Sequence, residues 1–300
     1  MGVHHNPAQK ALESLIDRLH ARGRLRVWSL VITMFGDAVV PRGGQVPLGV
    51  LQNVMGRLRI EPGALRTAMS RLASDHWVIR EREGRNSHYR LAEEGRHAFD
   101  LATRRIYSRG PPAWNGAWTV AIAPPNGETD VLADATGLGF VRINGGVYLR
   151  PETEGAIGLD DALAGALIVH GESAEHPEAF HELWPSREIA EAYRTLIATL
   201  MPLQAALDGG ARLSGVDAMA ARILVIHNWR RIVLRDPGLP IDLLPADWPG
   251  EEARGGVRQI YGALYAPSED WLDDAGLPSP QGPQRFAGGA SLPAPQDLVS

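Results

Sequence analysis

Residues 62–91 constrain the fold of this chain more than any other stretch. A segment with helical spacing runs directly into one with strand spacing. Over 62–74 the apolar positions Leu65, Ala68, Met69 and Leu72 share one face. The opposite face carries Gly63, Arg66, Thr67, Ser70, Arg71 and Ser74. Pro62 suits a first helical position, where its missing N–H costs nothing. Small and cationic side chains on an exposed face allow close approach to a polyanion. Taken alone, the helix also reads as a solvated, arginine-rich face.

The hairpin that follows has strands at 77–82 and 87–91 and a turn at Glu83-Gly84-Arg85-Asn86. Its alternation predicts Trp77, Ile79, Tyr89 and Leu91 on one face, with Arg80, Arg82, His88 and Arg90 on the other. Upstream, Leu12, Leu15, Ile16 and Leu19 mark an amphipathic helix over 8–20. Residues 25–35 are apolar nearly all round and predict a buried helix stopped by Gly36. A turn at 40–44 and a helix over 47–58 follow. With a further helix over 92–107, this order is that of a winged helix-turn-helix.

Charge supports a division of the chain. Of its 300 residues, 1–110 carry 18 Lys+Arg against 10 Asp+Glu, and 111–300 carry 12 against 25. The net charge of −5 hides a basic N-terminal third suited to nucleic acid. In that geometry Arg66 and Arg71 reach guanine or phosphate, and Thr67 and Ser70 supply short hydroxyl contacts. Arg85 and Asn86 at the hairpin tip address the minor groove, while Arg82 and His88 touch backbone.

Arg109-Gly110-Pro111-Pro112 reads as a linker. Beyond it come a strand at 118–123, a helix at 129–138, a hairpin of 140–143 with 147–150, a short helix at 159–164 and a strand at 166–170. That βαββαβ order predicts a ferredoxin-like sandwich. Helices are expected at 186–207, 216–235 and 251–265, with a proline-rich connection at 237–249. From 277 the chain is rich in Pro, Gly, Ser and Gln and reads as a disordered tail. The expected fold is therefore α+β, with a winged domain at 1–110, a ferredoxin-like domain at 111–172, a helical effector or assembly domain at 173–276 and a tail at 277–300.

Several chemistries are disfavoured. Cysteine is absent, which removes disulfides, thiolate zinc sites, iron–sulfur clusters and cysteine nucleophiles. No apolar run approaches the roughly 18–20 residues that span a bilayer. Residues 1–9 lack an apolar signal core, so a cytoplasmic protein without membrane association is expected. GxxxxGK[ST], GxGxxG, GxSxG and HExxH motifs are all missing. The densest polar cluster is His170, Glu172, Glu175, His176, Glu178, His181 and Glu182. Its spacing fits no metal motif, and a solvated loop before a helix explains it as well. Asp160-Asp161 suits the first turn of a helix. The expectation is no enzyme, no cofactor and no metal, with a metal-dependent enzyme built on the 170–182 cluster as the alternative.

Three separated stretches resemble a known family. They are Val31-Ile32-Thr33-Met34-Phe35-Gly36-Asp37-Ala38-Val39-Val40-Pro41-Arg42-Gly43-Gly44; the pair Arg66-Thr67-Ala68-Met69-Ser70-Arg71-Leu72 and Gly84-Arg85-Asn86-Ser87-His88-Tyr89-Arg90-Leu91; and Leu234-Arg235-Asp236-Pro237 with Leu243-Leu244-Pro245-Ala246-Asp247-Trp248-Pro249-Gly250. Over about residues 25–272 the chain resembles the PaaX family of phenylacetic-acid degradation repressors. The resemblance implies a GntR-like winged-helix repressor, usually a homodimer, bound to double-stranded operator DNA. It implies release by an aryl-CoA thioester such as phenylacetyl-CoA, other members answering to other acyl-CoA or aromatic ligands. Holding CoA phosphates would then call on arginines of the acidic part, from among Arg142, Arg150, Arg187, Arg194, Arg230 and Arg231. Trp184, His227 and Trp229 would flank an aromatic acyl group. A DNA-binding adaptor without an effector remains the other open reading.

Overall fold

The computed structural model describes residues 6–21, 23, 25–83, 86–124, 139–153, 165–173, 186–282 and 284–286. Its helices are α1 (Pro7–Ala21), α2 (Val27–Met34), α3 (Leu48–Arg57), α4 (Pro62–Ser74), α5 (Glu93–Ile106), α6 (Ser186–Asp208), α7 (Gly215–Val233) and α8 (Gly250–Asp274). Its strands are β1 (Gln45–Pro47), β2 (Val78–Glu83), β3 (Asn86–Leu91), β4 (Trp114–Ile122), β5 (Val141–Asn144), β6 (Val147–Thr153) and β7 (Leu167–Glu172). The class is α+β with antiparallel sheets, as the sequence predicts.

The chain forms two compact units. The first comprises Met1–Arg109, Thr195–Arg231 and Glu252–Ser300; the second comprises Gly110–Arg194 and Ile232–Glu251. The C-terminal helices, expected as a domain of their own, are thus divided between the two.

In the first unit α2 is buried almost throughout, with Leu30, Val31 and Met34 at 0% exposure. Gly36 does not stop it. The winding loosens into a π-helical turn over Phe35–Val39 and then tightens into a 3-10 turn over Val40–Arg42. A side chain at residue 36 would collide with Phe99, because a Cβ there would lie 2.8 Å from the ring. Gly43 and Gly44 end the run at φ +91° and +78°, where a Cβ is strained. α4 occupies the residues its pattern predicts, with Leu65, Ala68, Met69 and Leu72 buried.

The sheet of this unit has the order β1-β3-β2. Its register corrects the predicted faces of the hairpin. Val78 sits opposite Leu91 and Arg80 opposite Tyr89, so Val78, Arg80 and Arg82 share the face of Tyr89 and Leu91. Val78 is 2% exposed, whereas Ile79 is 38% exposed. Trp77 is the cause. Its N–H donates to the Leu72 carbonyl in the turn closing α4, and its ring meets Phe99 edge-on. The strand begins one residue later than expected, and a slip of one residue exchanges the faces.

In the second unit the sheet order is β5-β6-β4-β7, antiparallel throughout. Trp118 and Leu149 on one face pack with Leu239, Leu243 and Leu244 of the proline-rich connection. Ala121, Tyr148 and Phe140 form a second cluster. The helices expected at 129–138 and 159–164 lie outside the described residues.

α8 runs past the expected end at 265 and through Pro267 to Asp274. The stretch after 277 is not a loose tail as far as residue 286. Leu277 and Phe286 are buried, and the Gln281 N–H donates to the Pro41 carbonyl at 2.6 Å. Residues 287–300 lie outside the described residues.

Candidate nucleic-acid interface

α4 presents Arg66, Thr67, Ser70 and Arg71 to solvent from one face, while its other face is locked into the core. Thr67 Oγ1 donates to the Gly63 carbonyl at 3.0 Å. Arg71 Nε reaches Asp75 at 3.4 Å, a loose exposed pair that leaves the guanidinium accessible. On the hairpin Arg82 is exposed and His88 is half-buried. Arg80, not among the predicted contacts, is exposed on the β2 face of Arg82 and donates to Ser87 Oγ at 2.9 Å. Arg90 and Gln45 both turn to Glu81 on the other face. Arg85 and the side chain of Asn86 lie outside the described residues. The structure therefore brings together Arg66, Thr67, Ser70 and Arg71 on one helix face; on the hairpin, Arg82 and His88, predicted to share a face, lie on opposite faces of the sheet.

Local charges hold this helix pair. Arg59, in the turn between α3 and α4, has φ +58°. Its guanidinium pairs with Asp17 of α1 at 2.6 Å and with Glu13. Arg57 at the end of α3 pairs with Glu13 at 2.7 Å and with Asp217 of α7. Burial opposes ionisation of Glu13, yet hydrogen bonds from Arg59 and Arg57 bring its carboxyl below the usual range.

A second network lies behind the interface and is buried. Asp37 Oδ2 accepts from Arg222 Nε at 2.7 Å, and Oδ1 accepts from the hydroxyls of Tyr107 at 2.6 Å and Tyr261 at 3.1 Å. Arg222 also donates to Ser268 Oγ at 3.0 Å and to Glu269, and lies over the rings of Tyr261 and Tyr265. Arg42 donates to Glu269 at 2.6 Å, to Asp273 at 2.7 Å and to the Pro278 carbonyl at 2.8 Å. Burial and the Asp37 carboxylate push the Tyr107 phenol well above its ordinary value. Burial does the same to Tyr261, against the opposing pull of Arg222. Burial would discharge Arg222, but Asp37, Tyr261 and Glu269 more than offset it.

This network belongs to a ladder between α7 and the first buried helix. Arg230 donates to Ser29 Oγ at 2.8 Å, His227 Nδ1 lies 3.2 Å from Thr33 Oγ1, and Arg222 meets Asp37. Ascending numbers on one side meet descending numbers on the other, so the two helices run antiparallel. Sequence reasoning did not find this pairing. Its one visible signal was the presence of Asp37 and Arg42 within an otherwise apolar run, since charges there need buried partners.

The residues expected to hold an effector are spread over both units. In the second, Arg142 is exposed and donates to the Gly145 carbonyl at 2.6 Å. Arg150 is buried over the Phe140 ring, and burial lowers its affinity for the proton. Arg187 is exposed, and Arg194 is exposed and pairs with Asp247 at 3.0 Å. In the first, Trp229 is 0% exposed, donates to the Ile106 carbonyl at 2.8 Å and carries Arg254 over its ring. His227 and Arg230 are committed to the ladder, whereas Arg231 is exposed. Trp184 lies outside the described residues.

Of the polar cluster at 170–182, residues 175–182 also lie outside them. His170 Nδ1 contacts Glu152, whose carboxylate accepts from Thr119 at 2.8 Å. Among the described residues there is no group of three or more His, Asp or Glu placed to hold a metal ion, and no helix is long and apolar enough to cross a membrane.

Fold and site define an α+β protein that displays an arginine-bearing helix beside a three-stranded sheet and adds a second antiparallel sheet of four strands. Residues 26–95 match the family model described as PaaX-like protein, and residues 184–274 match the PaaX-like protein C-terminal domain. The transcriptional repressor PaaX of Escherichia coli K12 is 31% identical over 284 residues, covering 87% of this chain and 90% of that one. An uncharacterized protein from Mycobacterium tuberculosis has a similar fold, with a TM-score of 0.51 and 20% identity over 90% of this chain and 99% of that one. The chain belongs to the PaaX family.

Proposed function

We propose that this protein is a DNA-binding transcriptional repressor of a phenylacetate-type catabolic operon, acting as a cytoplasmic homodimer rather than as an enzyme. One observation carries the reading: α4 turns Arg66, Thr67, Ser70 and Arg71 outward while a hairpin with Arg80 and Arg82 flanks it. In this reading α3, the Arg59 turn and α4 are a helix-turn-helix, β2 and β3 its wing, and the grouping is GntR-like. α4 enters the major groove, the wing tip with Arg85 and Asn86 addresses the minor groove, and Arg82 and His88 touch the backbone. The similarity to a named repressor over most of both chains supports it, as does the basic balance of residues 1–110.

The second unit takes the part of a ferredoxin-like domain, for which β5-β6-β4-β7 is the strand order required. An aryl-CoA thioester such as phenylacetyl-CoA is the proposed effector. Its phosphates are assigned to exposed arginines of the second unit, among Arg142, Arg187 and Arg194. Release requires the ligand to bind the DNA-free state more tightly than the DNA-bound state. The test is a mobility shift on operator DNA, with and without phenylacetyl-CoA. Saturable binding that phenylacetyl-CoA reverses and acetyl-CoA does not is the expected result. Operator binding untouched by saturating phenylacetyl-CoA would remove this effector.

A further inference from the structure

The first unit holds a ring-shaped slot that the chain fills with its own side chain. Phe286, twelve residues beyond the end of α8, is buried at 8% exposure. Its ring meets Tyr107 at 5.0 Å and 68°, and Tyr261 at 5.1 Å and 72°. Both are edge-to-face contacts, the geometry in which aromatic rings attract most specifically. The hydroxyls of both tyrosines are spent on Asp37, which also takes Arg222. The polar end of the slot is therefore saturated, and a plain phenyl ring suits the space left.

The resident ring is held by a slight strap. Arg285 donates to the Gly36 carbonyl at 2.9 Å and lies over the Tyr107 ring at 5.4 Å. Arg285 Nε is buried and meets no acceptor among the described residues. Such a donor regains water when the segment lifts, which favours release. Gly36 immediately precedes Asp37 in the π-helical turn that continues α2. Tyr107 and Tyr261 share Asp37 with Arg222, so the slot borders the ladder that joins α2 to α7.

We propose that the slot between Tyr107 and Tyr261 is a binding site for a benzyl-type ring, and that a ligand carrying one enters by displacing Phe286 and Arg285. The side chain of Phe286 is itself a benzyl group, so the slot already accepts that chemistry. The link from slot to operator release rests on the repressor reading above; ring binding does not.

The absence of cysteine makes a direct test possible. Full-length Gln284→Cys carries a single nitroxide label next to the strap. Its spectrum is recorded with benzyl alcohol, phenylacetyl-CoA or acetyl-CoA, and operator binding is followed in the same samples. The expected result is a growing mobile fraction with benzyl alcohol or phenylacetyl-CoA and none with acetyl-CoA. Phe286→Ala in that background gives the mobile spectrum without any probe and binds benzyl alcohol about tenfold more tightly, because the competing ring is gone. A strap that stays immobile with both aryl probes overturns the proposal, even where phenylacetyl-CoA releases the operator. Equal release by acetyl-CoA overturns it as well. Strap release by benzyl alcohol with no effect of phenylacetyl-CoA on operator binding leaves the slot standing and removes the effector reading alone.

Discussion

Asp37 and Arg222 lie 185 residues apart in the chain and meet at 2.7 Å, with side chains 0% and 1% exposed. Such a pair contributes little net stability against an apolar substitute, but breaking it strands a buried charge. Asp37→Ala should cost about 3–5 kcal/mol. Arg222→Met in the same chain should restore part of that loss. Urea unfolding of the single and double variants measures both, and a single variant within 1 kcal/mol of wild type would contradict the pairing.

Stability should fall in alkali. The phenols of Tyr107 and Tyr261 are held above their ordinary value near 10 in the folded state. A raised folded value contributes stability that is complete below pH 10 and is lost as pH rises beyond it. Two such groups give a slope of up to about 2.7 kcal/mol per pH unit. Tyr107→Phe with Tyr261→Phe should flatten that slope, whatever it does to stability at pH 7. Unfolding at several pH values between 9 and 11.5 decides it.

Arg66→Ala should weaken operator binding by about 1–3 kcal/mol and relax preference at one base position if it reads guanine. Arg71→Ala, on the same exposed face, should weaken binding across sequences and reduce its salt dependence if it meets phosphate. Titrations at two salt concentrations separate these roles. Unaltered affinity in both variants would place the interface elsewhere.

Gly36→Ala should destabilise the first unit by about 1–3 kcal/mol, since its Cβ would press on the Phe99 ring at 2.8 Å. Phe99→Leu should relieve it. Thermal unfolding of the single and double variants shows whether the two changes compensate.

α4 was legible because its apolar stripe, its proline start and its exposed arginines all agree within 13 residues. The hairpin was legible as a hairpin, but its β2 faces were not. Trp77 completes the pattern of a strand while its backbone closes the preceding helix. Gly36 reads as a stop and the last helix is expected to end at 265, yet tertiary packing carries the helical path through Gly36 and on through Pro267. The exposed half of the candidate site was visible because solvent-facing residues show their chemistry locally. The ladder of Ser29, Thr33 and Asp37 with Arg230, His227 and Arg222 was not, since spacing along one segment says nothing of a partner two hundred residues on.

That ladder also sets the order in which the molecule can be finished. Ser29 and Asp37, made early on the ribosome, find buried partners in α7 and α8, and Arg42 finds its carboxylates in α8. A nascent chain halted after β3 has α4 but not the partners in α7 and α8. Contacts so distant in sequence form late. The buried framework of the first unit is therefore complete only once α8 has been made.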